Sequence, residues 1–301
     1  MNVFHIYFSL LSLLAPLMVV IGVGTIWGKL GHPFPAQFVT VLATTVTTPA
    51  LVFYTLVTTQ LSDEVMGKVA IATVLALGLC MVACAIALKL CRLPVRKLLQ
   101  TTSFPNAGNL GLPITHLAFG DAGLSTSIAF FAVASFIQHT VGVRTLPSAP
   151  GIPAPWKSPI LVASVLAVAC RLLGFTPPQW IMDSAQLLGS MTVPLMLLGL
   201  GHALALIPPA GLSLGGIISV MRLTFGLGTG ALGAWLAGLP ADMIGNIALQ
   251  MGMPCAVVSY MYARRYTDVG DTSAGAVLIS TLVFLVLAPF LMWLLGAPVA
   301  R

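Results

Sequence analysis

Charge is what this sequence has least of. Seven aspartates and glutamates and thirteen lysines and arginines make 7% of 301 residues charged, against 58% hydrophobic and a mean hydropathy of +1.03. Water-soluble domains carry roughly 25% charged residues, so that class is excluded. Hydrolytic or transfer chemistry needs a base, a nucleophile or a metal cluster, and the few carboxylates supply no such set. The pair Asp268 and Asp271 could hold one Mg²⁺, but no second acidic motif accompanies it. No catalytic residue, cofactor or metal site is therefore expected. Cysteine is scarce as well: Cys80, Cys84, Cys91, Cys170 and Cys255 fall in or beside apolar runs, with no CxxC or Cys/His cluster. Cys80 and Cys84 share a helix face, which gives two metal ligands at best, and all five read as small apolar residues.

Long polar stretches are missing too. Apolar runs of about 20 residues, enough to cross a ~30 Å hydrocarbon core as helix, follow one another along the chain. We read ten, at 6–28, 36–59, 66–90, 97–118, 123–143, 158–174, 183–206, 213–236, 242–263 and 273–295. They are continuous rather than alternating, which argues against a β-barrel, and they leave no room for a soluble domain. The first run starts almost at Met1 with no basic residue before it (MNVFHIYF), unlike a cleaved signal peptide. Met1 is expected to be retained.

A net charge of +6 raises nucleic acid as a partner, but the basic residues are spread over short loops. Membrane orientation accounts for them. With the N-terminus outside, cytoplasmic loops hold Lys29, Lys89, Arg92, Arg96, Lys97, Arg144, Lys157, Arg264 and Arg265, while the outer side holds only Lys68, Arg171 and Arg301. The positive-inside rule then predicts that both termini face out.

Ten runs divide into five and five, giving a first repeat at 1–145, a Pro-rich cytoplasmic linker at 146–157 and a second repeat at 158–301. The halves echo each other. TTPALVF (47–53) matches TVPLMLL (192–198), with Pro49 and Pro194 separated by 145 residues. NLGLP (109–113) matches LQMGMP (249–254), with Pro113 and Pro254 separated by 141, and Asp121 and Asp271 in the third match lie 150 apart. A repeat with an odd number of spans enters the membrane in opposite senses, so the halves are inverted, as in many secondary transporters.

Within the fourth span, SFPNAGNLGLPITH (103–116) packs helix breakers and amides into a membrane-grade stretch. The ninth span carries the matching break. Interrupted helices at corresponding positions point to a transporter's binding site, and broken backbone at membrane depth must be buried in protein or line a wet cavity. Pro113 and Pro254 are expected to start new half-helices. The N-termini of these half-helices, each carrying roughly +0.5 charge, attract anions without any Lys or Arg. Asn106 and Asn109 supply amides for a carboxylate, although an amide can also merely cap the broken helix. Gly108, Gly111 and Gly252 allow close backbone approach, and Gln250 stands four residues before the second break, with Asn246 a turn earlier. His116, one turn past Pro113, is a candidate for coupling or a packing histidine, and Gln138 and His139 carry less weight. Arg222 is the basic residue well within a span. That is a functional signal, with snorkelling to the interface as its competitor.

These residues resemble a known family. SFPNAGNLGLPITHLAFGD is similar to the Asn-x-Gly-x-x-Gly-Leu-Pro segment of the auxin efflux carrier family. QMGMPCAVVSYMYARRYTDVGDTSAGAVLISTLVFLVLAPF resembles its C-terminal signature, and SPILVASVLAVACRLLGFTPPQWIMDSAQLLGSMTVPLMLLGLG its sixth and seventh spans. The resemblance implies an all-α polytopic membrane protein of ten transmembrane helices in two inverted five-helix repeats, with broken helices 4 and 9 crossing. It also implies alternating access between a scaffold and a mobile transport domain. The long cytoplasmic loop of the plant members is absent, which favours a bacterial malonate- or malate-permease-like carrier over one for auxin.

The expected function is a secondary transporter of a small organic anion, with Asn106, Asn109, Gly111, Pro113, Gln250 and Pro254 at the substrate and His116 and Arg222 in coupling or gating. A sodium- or proton-coupled antiporter or symporter of related fold is the main rival. Such carriers usually bury Asp or Glu at the crossover, where this chain offers amides and hydroxyls. A membrane enzyme and a channel are weaker alternatives. The partners expected are the organic anion and the lipid bilayer, with no nucleic acid; a homodimer is left open.

Overall fold

The computed structural model describes residues 3–59, 61–147, 158–206 and 211–296. The linker from 148 onward, with Lys157, and both chain ends, with Met1 and Arg301, lie outside the described residues. Every regular element among the described residues is helical. Five stretches are long and apolar enough to cross a membrane: Asp63–Leu90, Ala107–Gly142, Gln179–His202, Leu212–Leu236 and Gly270–Leu294. Shorter apolar helices at Met18–Lys29, Ala43–Thr58 and Pro159–Leu172 accompany them.

In chain order the helices are α1 (Val3–Lys29), α2 (Ala36–Leu42), α3 (Thr48–Thr58), α4 (Asp63–Leu90), α5 (Val95–Ser103), α6 (Leu112–Ile137), α7 (Pro159–Leu172), α8 (Gln179–Ser190), α9 (Thr192–Ala205), α10 (Leu212–Leu236), α11 (Ala241–Met251), α12 (Val257–Tyr266) and α13 (Gly270–Leu294). Wide π-helical turns at Ala43–Thr47 and Ala107–Gly111 lead into α3 and α6. The reason is proline. Pro49 and Pro113 both lie in the first turn of the helix that follows, where they cannot donate and would crowd the carbonyl four residues back. A π turn widens the backbone there: Thr48 bonds back to Ala43 and Leu112 to Ala107, five residues each.

α10 is the hub, packed on α4, α11, α13 and α5. Small residues make this approach close, as in many membrane helix pairs. A Cβ on Gly230 would lie 2.9 Å from Ala248 Cα of α11, and one on Gly233 would lie 2.7 Å from Ala76 N of α4.

Charged contacts gather at two separate ends. At one, Lys97 meets Asp268 at 2.7 Å. At the other, Arg171 bonds Asp63 at 2.9 Å and also the carbonyls of Leu56, Thr59 and Leu61, so a cation closes the C-terminal end of α3.

Candidate functional site

The fourth and ninth apolar runs are both broken, and the breaks meet. After α5 the chain is extended at Phe104 (φ −98°, ψ 124°), and after α11 it is extended again at Ala256 (φ −64°, ψ 132°). Pro105 and Pro254 cause this, since proline lacks an N–H and biases the residue before it away from helix. The two extended segments pair antiparallel around Pro105 and Cys255. Asn106 N–H donates to the Pro254 carbonyl at 2.7 Å, and Ala256 N–H donates to the Phe104 carbonyl at 3.1 Å. Each break thus satisfies groups that the other exposes, as a buried, water-poor setting requires.

The first break differs from the expectation in one respect. Helix stops at Phe104–Asn106, about two turns before Pro113, because Pro113 is absorbed by the π turn and Leu112 before it stays helical (φ −60°, ψ −52°). Pro105, not Pro113, is the counterpart of Pro254.

Beyond the breaks, the chain restarts as helix at Ala107 and at Val257, and both starts line one pocket. The first N–H groups of a helix have no partner within it and carry its positive end. Asn106, Asn109, Ser135, Gln138 and His139 add polar atoms to the wall, with Thr44 and Thr48 from the second apolar run and Met196 from the seventh. Asn106 is 4% exposed, its Nδ2 has no hydrogen-bond partner, and its side chain does not cap the following helix. The buried Thr48 hydroxyl is also unpartnered. A buried donor without a partner costs about 1–3 kcal/mol. No Asp or Glu is among the described residues lining the pocket.

Of the other sequence candidates, Pro113 and Pro254 lie in the two broken runs but not on the pocket wall, and four stand elsewhere. Gln250 is fully buried against α6, where its Nε2 donates to Thr115 Oγ1 at 3.3 Å and its amide fills the space that Gly111 leaves open. Gln250 and Gly111 thus pack the two broken helices together rather than facing the pocket. His116 is half exposed and pairs with Asp121 at 3.1 Å, near the interruption of α6 at Gly120. Asn246 is satisfied at the same α6–α11 contact, donating to the Gly123 carbonyl at 2.9 Å and accepting from Ser127 at 2.8 Å.

Residues 155–292 match a family described as membrane transport protein. The match spans just under half of the chain. The resemblance to auxin efflux carriers is thereby borne out at the level of the family, over the segments that hold the second break and the last span. The first break lies before the matched residues. No curated protein matches the chain.

Around this pocket the residues that carried little weight in the sequence are Thr48, Gln138, His139 and Met196. His139 Nδ1 lies 2.8 Å from the Ser135 carbonyl, which can only accept, so Nδ1 carries the hydrogen. Tyr262 of α12 stands edge-on to its ring at 6.0 Å. Gln138 Nε2 donates to Ser259 Oγ at 3.3 Å across to α12. Thr48 and Met196 could have been found: both sit inside TTPALVF and TVPLMLL, the matched segments of the two halves.

Arg222 does not snorkel. It is fully buried, and its guanidinium donates to the carbonyls of Thr102 and Ser103 at the end of α5 and of Met251 at the end of α11.

Proposed function

We propose that this transporter is a secondary carrier of small organic anions, with its substrate site in the pocket at the crossing of the two broken helices. The observation that carries the reading is the convergence of two helix N-termini and the unpartnered, buried Asn106 amide on a wall without a carboxylate. Dipoles and amides attract a carboxylate, whereas a cation would find no counter-charge there. Malonate- and malate-like acids are the substrates that the family resemblance favours.

The same reading takes the fold as ten spans in two inverted five-helix repeats that rock about the crossing in alternating access. It is supported by the pairing itself. FPNA (104–107) and MPCA (253–256) hold the two breaks at a separation of 149, close to the 150 between Asp121 and Asp271. Both termini are assigned to the outer side on the loop charges, which is the periplasmic side of the bacterial inner membrane that the resemblance favours.

Purified protein in proteoliposomes tests the function directly. Uptake of labelled malonate, malate or indole-acetate, saturable and competed by the unlabelled acid, is the expected result. Transport of sodium or protons that is indifferent to all three acids would refute it.

A further inference from the structure

Arg222 sits near the middle of α10, fully buried, and no carboxylate is among its hydrogen-bond partners. A bare guanidinium in such an interior is very costly, so its counter-charge must come from elsewhere. It comes from the backbone. One nitrogen, Nη1, donates to Thr102 O at 3.3 Å and to Ser103 O, the last carbonyls of α5, and Nη2 donates to Met251 O, the last of α11. The thiols of Cys84 and Cys80 reach the same two α5 carbonyls at 3.5 and 3.7 Å. Gly226, one turn along α10, keeps the place open, because a Cβ there would strike both the guanidinium and the Met251 carbonyl.

Four half-helix ends therefore meet at the crossing. Two N-termini, each roughly +0.5, face the pocket, and two C-termini, each roughly −0.5, face Arg222. Left alone, the four would sum to about zero. With Arg222 the C-terminal ends are cancelled and about one positive charge remains. Ser103, whose carbonyl Arg222 holds, and Phe104, which lines the pocket, are consecutive residues, so the charge acts at short range.

Resting on the anion-carrier reading above, we propose that Arg222 is a specificity-determining residue that makes the crossing net positive by cancelling both half-helix C-termini, without itself touching the substrate.

The test separates charge from hydrogen bonding. Arg222→Lys keeps the charge and loses the fork, while Arg222→Gln keeps donors for the carbonyls and loses the charge. Uptake of malonate and of its monomethyl ester would be measured in proteoliposomes, alongside thermal stability in detergent. We expect Arg222→Lys to hold KM for malonate within a few-fold of wild type. Arg222→Gln should raise it on the order of tenfold or more, with the doubly charged malonate suffering more than the singly charged ester. A folded Arg222→Gln carrier with unchanged KM, or equal losses for the two acids, would overturn the proposal. Should the Gln variant not fold, a folded Arg222→Lys carrier with a tenfold higher KM overturns it alone. A wild-type protein that carries none of malonate, its monomethyl ester, malate and indole-acetate sinks the anion reading and this proposal with it.

Discussion

Asn106 and Pro254 are joined by a 2.7 Å backbone hydrogen bond although they lie in opposite halves of the chain. That bond and its neighbour from Ala256 to Phe104 fix where two helix starts point, and so fix the pocket. Position and chemistry are coupled here: the prolines that break the helices also free the donors on which the proposed site depends.

Asn106→Ala should therefore divide stability from function. The Nδ2 of Asn106 has no partner, so its loss should leave the detergent melting temperature unchanged or slightly raised. Substrate affinity should fall by about 10-fold or more, the worth of one charge-assisted hydrogen bond. A large drop in melting temperature with unaltered KM would assign the amide a purely structural role.

How much of this was legible turns on particular residues. The apolar runs pointed to helices, five stretches of which are long and apolar enough to cross a membrane among the described residues, and the breaks in the fourth and ninth runs were visible as Pro, Gly and Asn clusters. Which proline does the breaking was not. Pro105 and Pro113 both precede helical stretches, and only the π turn at Ala107–Gly111, invisible in composition, lets the second be accommodated. Choosing Pro113 paired NLGLP with LQMGMP, at 141 residues, when FPNA with MPCA at 149 agreed better with the aspartates. Asn106 and Asn109 were found from chemistry, whereas Gln250 looked equally polar but packs on Thr115. The partners of Arg222 could not be read, because they are backbone carbonyls that every residue has.

Close approach of α10 to α4 gives a packing prediction. Gly233→Ala places a Cβ against Ala76 N at 2.7 Å and Ala76 Cα at 2.9 Å, backbone that cannot swing aside. Destabilisation of about 1–3 kcal/mol is expected, read as a lower melting temperature. Gly228→Ala, on the same helix and facing open space, should not reduce stability, since alanine is the better helix former. Equal effects would contradict the packing described.

The Lys97–Asp268 pair gives a pH signature. Its hydrogen bond from Lys97 holds the Asp268 carboxyl below the usual carboxylate range. A group whose pKa is depressed on folding stabilises above its unfolded value, and that contribution is lost as pH falls through the folded one. Both side chains are solvent-accessible, so the effect is small. Wild type should melt slightly above Asp268→Asn at neutral pH, and the gap should close in acid below the carboxylate range. A gap that is constant with pH would show that the pair contributes nothing as ions.

Orientation is checked by reporters. Fusions at residue 301 that are active only in the periplasm, with a cytoplasmic-only reporter working in the 89–97 loop, are the expected outcome of the loop charges. The reverse pattern would invert the assignment and leave the crossing untouched.

Asn109 gives the sharpest test of the anion site. It is half-buried on the first turn beyond the break and lines the pocket. Asn109→Ala should weaken substrate binding by about 10- to 150-fold, corresponding to roughly 1.5–3 kcal/mol, while the protein stays folded. Asn109→Asp should be worse, since it sets a negative charge against an anion. A capping role predicts the opposite order: alanine would cost stability, and aspartate, a good residue at helix starts, would be tolerated. Uptake and detergent melting measured on the same preparations separate the two. An Asn109→Asp carrier that transports malonate at near-normal KM would remove Asn109 from the substrate site, leaving Asn106 and the two helix ends to hold the anion alone.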